Sequence, residues 1–156
     1  MKRPIDDLPL DAGLSFLQGV WELNHALERL SSRMERKLGV TAQQRFIVRC
    51  VGKYPGMTPG QLAKILHLDP GTVSSALRRL ERQGVIERRR DPRDGRRVSL
   101  GLTSRGRALD GVRGGTAEAA VVRVLDSSKA SETQTTQAML RRLATAFAEV
   151  TTREKP

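Results

Sequence analysis

Residues 58–102 read TPGQLAKILHLDPGTVSSALRRLERQGVIERRRDPRDGRRVSLGL, a stretch with two short helix patterns followed by two strand-like runs. The first helix has a clear start signal. Thr58 and Gln61 have the spacing of a capping box, and Pro59 occupies the first helical position, where its missing N–H costs nothing. Four apolar residues are predicted to form the buried side of this helix: Leu62, Ala63, Ile65 and Leu66.

A second helix is predicted after a turn at residues 67–68. Asp69 can cap its start, and Gly84 suits the left-handed position that ends a helix. At 100° per residue, one side is apolar and is predicted to pack inward: Val73, Ala76, Leu77 and Leu80. The other side and its flanks carry small hydroxyl and arginine residues: Thr72, Ser74, Ser75, Arg78, Arg79 and Arg82. Small residues allow close approach to a DNA groove, and arginines reach guanine edges or phosphates, so this is predicted to be a recognition helix.

The strand-like runs are predicted to form a hairpin, with strands at residues 85–90 and 96–100 and a tip at 91–95. The tip, Asp-Pro-Arg-Asp-Gly, has the residues that tight turns require. Nine arginines and four acidic residues lie between Arg78 and Arg97. A charged tip can simply be solvated, but an arginine there can also enter a minor groove. Helix, turn, helix and hairpin together predict a winged helix-turn-helix.

Three runs of this stretch resemble the multiple antibiotic resistance regulator (MarR) family of bacterial transcription factors. They are LRRLERQGVIER at residues 77–88, DPRDGR at 91–96 and LTSRGRAL at 102–109. The resemblance implies a mainly α fold of six helices with a two- or three-stranded antiparallel wing, and usually a repressor. It also implies roles for individual residues. DNA contacts are implied at Thr72, Ser74, Ser75, Arg78, Arg93 and Arg96, and a wing shaped by Asp91, Asp94 and Gly95.

The composition fits a polyanionic partner. The 156 residues carry a net charge of +11, and the pI is about 11.1. Aromatic residues are 3% of the chain, which leaves little for stacking on single-stranded bases. The only cysteine cannot form an internal disulfide, and neither a signal peptide nor a membrane span is evident. We therefore expect a cytoplasmic protein that binds double-stranded DNA.

The predicted organisation is a flexible arm at residues 1–10, one domain at 11–150 and a frayed tail at 151–156. Within the domain, residues 41–102 form the DNA-binding lobe, and helices in 11–38 and 103–150 serve dimerisation. A helix from residue 103 to about 125 is expected to bend near Gly114, and a last helix is expected at about 132–150. The helices outside the lobe have wide apolar faces that need cover. Since such helices interleave between two chains in the family, a homodimer on a palindromic operator is predicted.

The second helix of the chain, opened by Thr41 and Gln44, has an apolar side predicted to be buried: Phe46, Ile47, Cys50, Val51 and Tyr54. Cys50 is interpreted as a core residue rather than a redox sensor. Peroxide-sensing relatives carry their cysteine in the first helix, where this chain has none.

The resemblance also suggests an inducer, a small lipophilic or phenolic anion. A cleft for it could be lined by Trp21, His25, Arg45, Phe46 and Arg49, with ordinary packing and solvated surface as the alternative.

Other functional classes find less support. His25, His67 and Cys50 lie in three different elements, so neither a catalytic arrangement nor a metal site is indicated. No cofactor is predicted, since glycine loops that bind phosphate are absent. The main alternative to a sequence-specific regulator is an architectural or non-specific DNA-binding protein with the same fold and charge. The specificity ratio between an operator and random duplex would distinguish the two.

Overall fold

The computed structural model describes residues 10–90 and 98–153 and is mainly helical. The predicted arm lies outside the described residues except for Leu10, and so does the hairpin tip. The elements, in chain order, are α1 (Ala12–Leu38), α2 (Ala42–Lys53), α3 (Pro59–Leu66), α4 (Pro70–Arg82), β1 (Ile86–Arg90), β2 (Val98–Leu102), α5 (Ser104–Gly111), α6 (Ala117–Asp126) and α7 (Ala130–Arg153). The chain divides into two compact units, residues 1–117 and 118–156, each of which is described by itself. The predicted single domain at 11–150 stays a prediction.

Capping side chains open the helices of the first unit, and those of α2 and α3 are as predicted. Complete capping boxes open α2 at Thr41 and α3 at Thr58, and Asp11 accepts a hydrogen bond from the Leu14 amide at the start of α1. Gly39 ends α1 in the left-handed conformation, with φ 76°.

The turn between α3 and α4 lies at His67, as predicted. His67 has φ 51° and ψ 40°, a left-handed conformation that glycine usually adopts at this position. Its amide donates to the Lys64 carbonyl, and the Leu68 amide donates to the Ala63 carbonyl. These bonds end α3 sharply, so that α4 begins only four residues after α3 ends.

The core of the first unit lies among α2, α3, α4 and the sheet. Leu62, Leu77 and Leu80 are fully buried, and Leu100 of β2 joins them. The two strands are antiparallel, with Ile86 paired to Leu102 and Arg90 paired to Val98. Residues 56–57 add a short third segment, since the Leu100 amide donates to the Met57 carbonyl at 2.8 Å. The mainly α fold with a small antiparallel wing is therefore confirmed.

Three residues predicted to be buried are exposed. Phe46, Tyr54 and Ile65 have exposed fractions of 52%, 49% and 43%. Each lies at the edge of an apolar stripe whose centre packs inward, so helical spacing alone placed them on the wrong side of the boundary.

The predicted fifth helix is two helices. The glycines that suggested a bend mark an interruption between α5 and α6, and Gly115 has φ 70°. The described residues therefore contain seven helices rather than six. The last helix also begins two residues earlier than predicted and continues to Arg153, which removes half of the predicted frayed tail.

Candidate nucleic-acid interface

The polar face of α4 points to solvent. Thr72, Ser75, Arg78, Arg79 and Arg82 are exposed, while Ser74 is half-buried. On the opposite side, Val73, Leu77 and Leu80 are at most 1% exposed and fix the helix on the core. The recognition surface predicted from sequence is thus presented outward, apart from Ser74 at its edge.

The N-terminus of α4 is organised by Asp69. One carboxylate oxygen accepts from the Thr72 amide at 2.9 Å, and the other accepts from the Thr72 hydroxyl. These hydrogen bonds, first that from the hydroxyl, lower the pKa of the Asp69 carboxyl below its usual range. Because the Thr72 hydroxyl donates its hydrogen bond to Asp69, its oxygen is left to act as an acceptor. Such an acceptor suits the amino group of adenine or cytosine better than a phosphate.

Side chains from distant parts of the chain hold the C-terminal half of α4. Arg79 forms an ion pair with Glu35 of α1, and the Gln83 amide donates to the Gly39 carbonyl at 3.0 Å. Glu81 pairs with Arg88 of β1 at 3.0 Å. The end of α1 and the base of the hairpin therefore set the orientation of α4. The residues that make the contacts with α1 are 44 positions apart in the chain, so the sequence alone does not predict these contacts.

The described part of the wing is rich in arginine. Arg88, Arg89 and Arg90 are exposed along β1, and Arg89 forms an ion pair with Glu87. The wing residues with predicted roles lie outside the described residues: Asp91, Arg93, Asp94 and Gly95 of the tip, and Arg96 of the second strand. Their roles in groove insertion and in shaping the wing stay predictions.

Of the predicted ligand-cleft residues, Trp21 and Phe46 expose 56% and 52% of their surface, and His25 lies 3.5 Å from Glu28. Arg45 differs, because it is 1% exposed. Its guanidinium donates to the carbonyls of Leu109, Asp110 and Val112 at the end of α5.

Arg49 belongs to the same junction between α2 and α5. It donates to the Asp110 carboxylate at 2.6 Å. Arg49 and Arg45 both donate to carbonyls at the C-terminal end of α5, where the helix ends and leaves its last carbonyls without intrahelical partners. The Val112 amide and Arg113 donate to the Leu109 and Asp110 carbonyls as well.

Cys50 is buried on α2, with 6% of its surface exposed. Burial raises the pKa of its thiol, although Lys53 and Arg49 partly oppose the shift. The prediction that Cys50 is a core residue is therefore confirmed.

Among the residues described, no group of three His, Cys, Asp or Glu side chains could hold a metal ion. None of the described helices combines the length and apolarity that crossing a membrane requires.

A helix presented in this way from a helix-turn-helix with a basic hairpin is the arrangement by which winged-helix regulators of transcription read the major groove of DNA. Residues 40–98 match the model of the MarR family. The chain belongs to this family, whose members are DNA-binding transcriptional regulators and not enzymes.

Individual relatives agree with this assignment. The HTH-type transcriptional regulator TtmR of Methylorubrum extorquens is 33% identical over 106 residues, which are 68% of this chain and 53% of that protein. This chain thus spans about half the length of that relative. The structure of Streptococcus pneumoniae FabT in complex with DNA is 28% identical, with a TM-score of 0.61 over 87% of this chain and 95% of FabT. The PcaV transcriptional regulator of Streptomyces coelicolor, in complex with its natural ligand, is 25% identical, with a TM-score of 0.69 over 89% and 98%.

Proposed function

We propose that this chain is a ligand-responsive repressor that binds a palindromic operator as a homodimer. The outward polar face of α4 is the observation that carries this proposal. In the proposed complex with DNA, base edges are contacted by Thr72, Ser75 and Arg78, and phosphates by Arg79 and Arg82. Ser74 contributes from the edge of the surface. Repression is the commoner mode in the family, and a DNA partner places the protein in the cytoplasm.

Exposed apolar surface supports the homodimer. On α1, Leu14, Trp21 and Leu27 have exposed fractions of 52%, 56% and 47%. The second unit exposes further large apolar residues on α6 and α7: Val121, Val122, Val124, Leu125, Met139, Leu140, Phe147 and Val150. Large exposed apolar surface on a protein usually marks a site of protein–protein interaction. A second copy would cover them and carry a second recognition helix about 34 Å from the first, one turn of DNA.

Sedimentation of the full chain at micromolar concentration tests the homodimer. The expected mass is twice 17.3 kDa. Phe147→Glu places a charge on the exposed surface of α7 and should shift the equilibrium toward the monomer, whereas Thr145→Glu on the same helix serves as a charge-matched comparison. A wild-type chain that stays monomeric would contradict this part of the proposal.

Sequence preference tests the proposed specificity. Selection of bound duplexes from random DNA should return a palindrome, preferred over random duplex by about a thousandfold or more. Arg78→Ala should weaken operator binding by about 1 to 3 kcal/mol and relax the preference at one position of each half-site. Binding without sequence preference would instead favour an architectural DNA-binding protein. Salt dependence alone cannot separate the two, because both proteins would neutralise phosphates.

The proposed ligand is a small lipophilic or phenolic anion. The exposed rings of Trp21 and Phe46 offer it apolar contact, and the PcaV structure holds a ligand within a related fold. Of the two arginines in the predicted cleft, Arg49 is the better cation, because Arg45 is almost fully buried. Titration of the protein–operator complex with aromatic acids should release DNA. A broad panel without effect would count against the ligand while leaving DNA binding untouched.

A further inference from the structure

A groove lies between the first turn of α2 and the solvent-facing side of α4. Its lining residues come from these two helices: Thr41, Gln43, Gln44, Gly71, Thr72, Ser75, Ala76 and Arg79. The volume is about 570 Å³. Ser75 belongs both to this groove and to the proposed recognition surface, so the two are continuous. We call it the α2–α4 groove.

Most polar side chains of the α2–α4 groove already have partners. Thr41 and Gln44 bond each other's backbone amides in the capping box. Thr72 is bound to Asp69, and Arg79 to Glu35. Gln43 differs, since it is exposed and its side chain forms no hydrogen bond with another residue in 10–90 or 98–153. Its amide group is therefore available to a ligand that approaches α4.

The dimensions of DNA indicate what that ligand is. A helix with its side chains is about 10–12 Å across and fills a major groove about 12 Å wide. An element packed beside α4 then meets the sugar–phosphate backbone that borders the groove. The first turn of α2 is in this position, because Gln43 lines the same surface as Ser75. A side-chain amide can donate a hydrogen bond to a phosphate oxygen.

We propose that Gln43 binds a backbone phosphate of the same duplex that α4 reads. The inference rests on the proposed binding of double-stranded DNA. A phosphate contact carries no sequence information, but it fixes how α4 is seated in the major groove. Gln43 thus acts from outside the helix-turn-helix and the wing.

Charge substitutions at Gln43 test this inference in the full-length chain. Gln43→Lys should tighten binding to operator and random duplex alike and steepen the slope of log K against log salt by about 0.9, the value for one additional phosphate neutralised. Gln43→Glu should weaken both by about tenfold, since it places a like charge beside the phosphate. Gln18→Lys and Gln18→Glu change the net charge equally at an exposed position of α1 and are the matched controls. Sedimentation checks that all four variants keep the wild-type mass.

Each outcome has a defined meaning. Equal effects at Gln43 and Gln18 would overturn the phosphate contact, and so would a Gln43 substitution that alters preference at a single base pair. These two outcomes bear on the Gln43 contact once the wild-type chain has been shown to bind duplex DNA with steep salt dependence. A wild-type chain that binds no duplex would refute the proposed function itself, and this failure is distinguishable because it precedes any comparison of variants.

Discussion

The start of α5 approaches the base of the hairpin so closely that a methyl group added at Gly106 should destabilise the fold. A Cβ atom at Gly106 would lie 2.1 Å from the Val85 carbonyl oxygen and 3.2 Å from the Leu102 Cβ. Real Cβ atoms essentially never come within 3.0 Å of another heavy atom, so the backbone would have to move by about an ångström. This close approach explains why the run LTSRGRAL has glycine at position 106.

The Val85 carbonyl has little freedom to move. It accepts from the Thr103 amide at 3.2 Å and from the Thr103 hydroxyl at 3.1 Å, and the Val85 side chain is 1% exposed. Overpacking costs about 1–3 kcal/mol, and each lost hydrogen bond costs about 1 kcal/mol more. Alanine recovers about 1 kcal/mol of helix propensity. The expected net loss for Gly106→Ala is about 3 kcal/mol of unfolding free energy.

Gly111 provides a control in the same helix. No atom lies within 4 Å of a Cβ built there, so Gly111→Ala should be neutral or should stabilise the protein by up to about 1 kcal/mol. Urea unfolding followed by far-UV circular dichroism, at one fixed protein concentration, measures both variants against wild type. A Gly106→Ala variant within about 0.5 kcal/mol of wild type, or as stable as Gly111→Ala, would refute the steric argument.

Three further predictions follow from polar groups of the first unit. Hydrogen bonds from Thr72 lower the pKa of Asp69, so the stabilisation from this cap is present above the unfolded pKa of about 3.9 and is lost as the pH falls through the lowered folded value. Asp69→Ala should fray α4, weaken operator binding and lack this acid-dependent component in pH-dependent unfolding. Arg45→Met should cost about 2 kcal/mol in urea unfolding, because the Val112 carbonyl loses its donor, while the Leu109 and Asp110 carbonyls keep the Val112 amide and Arg113; a change below about 1 kcal/mol would show that water replaces the guanidinium. Cys50 should react with a thiol reagent far more slowly in the native than in the unfolded chain, whereas fast native labelling would revive a sensor role.

The features that sequence reasoning predicted correctly are local. Capping boxes at Thr41 and Thr58 and the cap at Asp69 each depend on residues three positions apart. At that range the chain has few alternatives, so residue type and spacing determine the hydrogen bond. The outward face of α4 follows in the same way, because its apolar residues recur at helical spacing.

The features that sequence reasoning missed depend on tertiary contacts. Arg45 is charged and is predicted to line a ligand cleft, with ordinary packing as the alternative; in the structure it is buried at the end of α5, where it donates to the Val112 carbonyl. Phe46 follows it directly and is exposed, although it was predicted to be buried. Which flank of an amphipathic helix is covered depends on neighbours that arrive from elsewhere in the chain. A single sequence carries little information on such neighbours.

The contacts that orient α4 have a functional consequence beyond their small energies. Arg79 and Glu35 are both partly exposed, so their ion pair contributes about 0–1 kcal/mol to stability. Yet 1 kcal/mol is about a fivefold change in the population of two orientations of a helix. The residues that pair with α4, Glu35 and Gly39, lie at the end of α1, whose exposed apolar face is part of the proposed dimer surface. A shift of α1 on dimer formation or ligand binding would thus be transmitted to the recognition helix through these contacts. Glu35→Gln should therefore change operator affinity more than it changes the unfolding free energy.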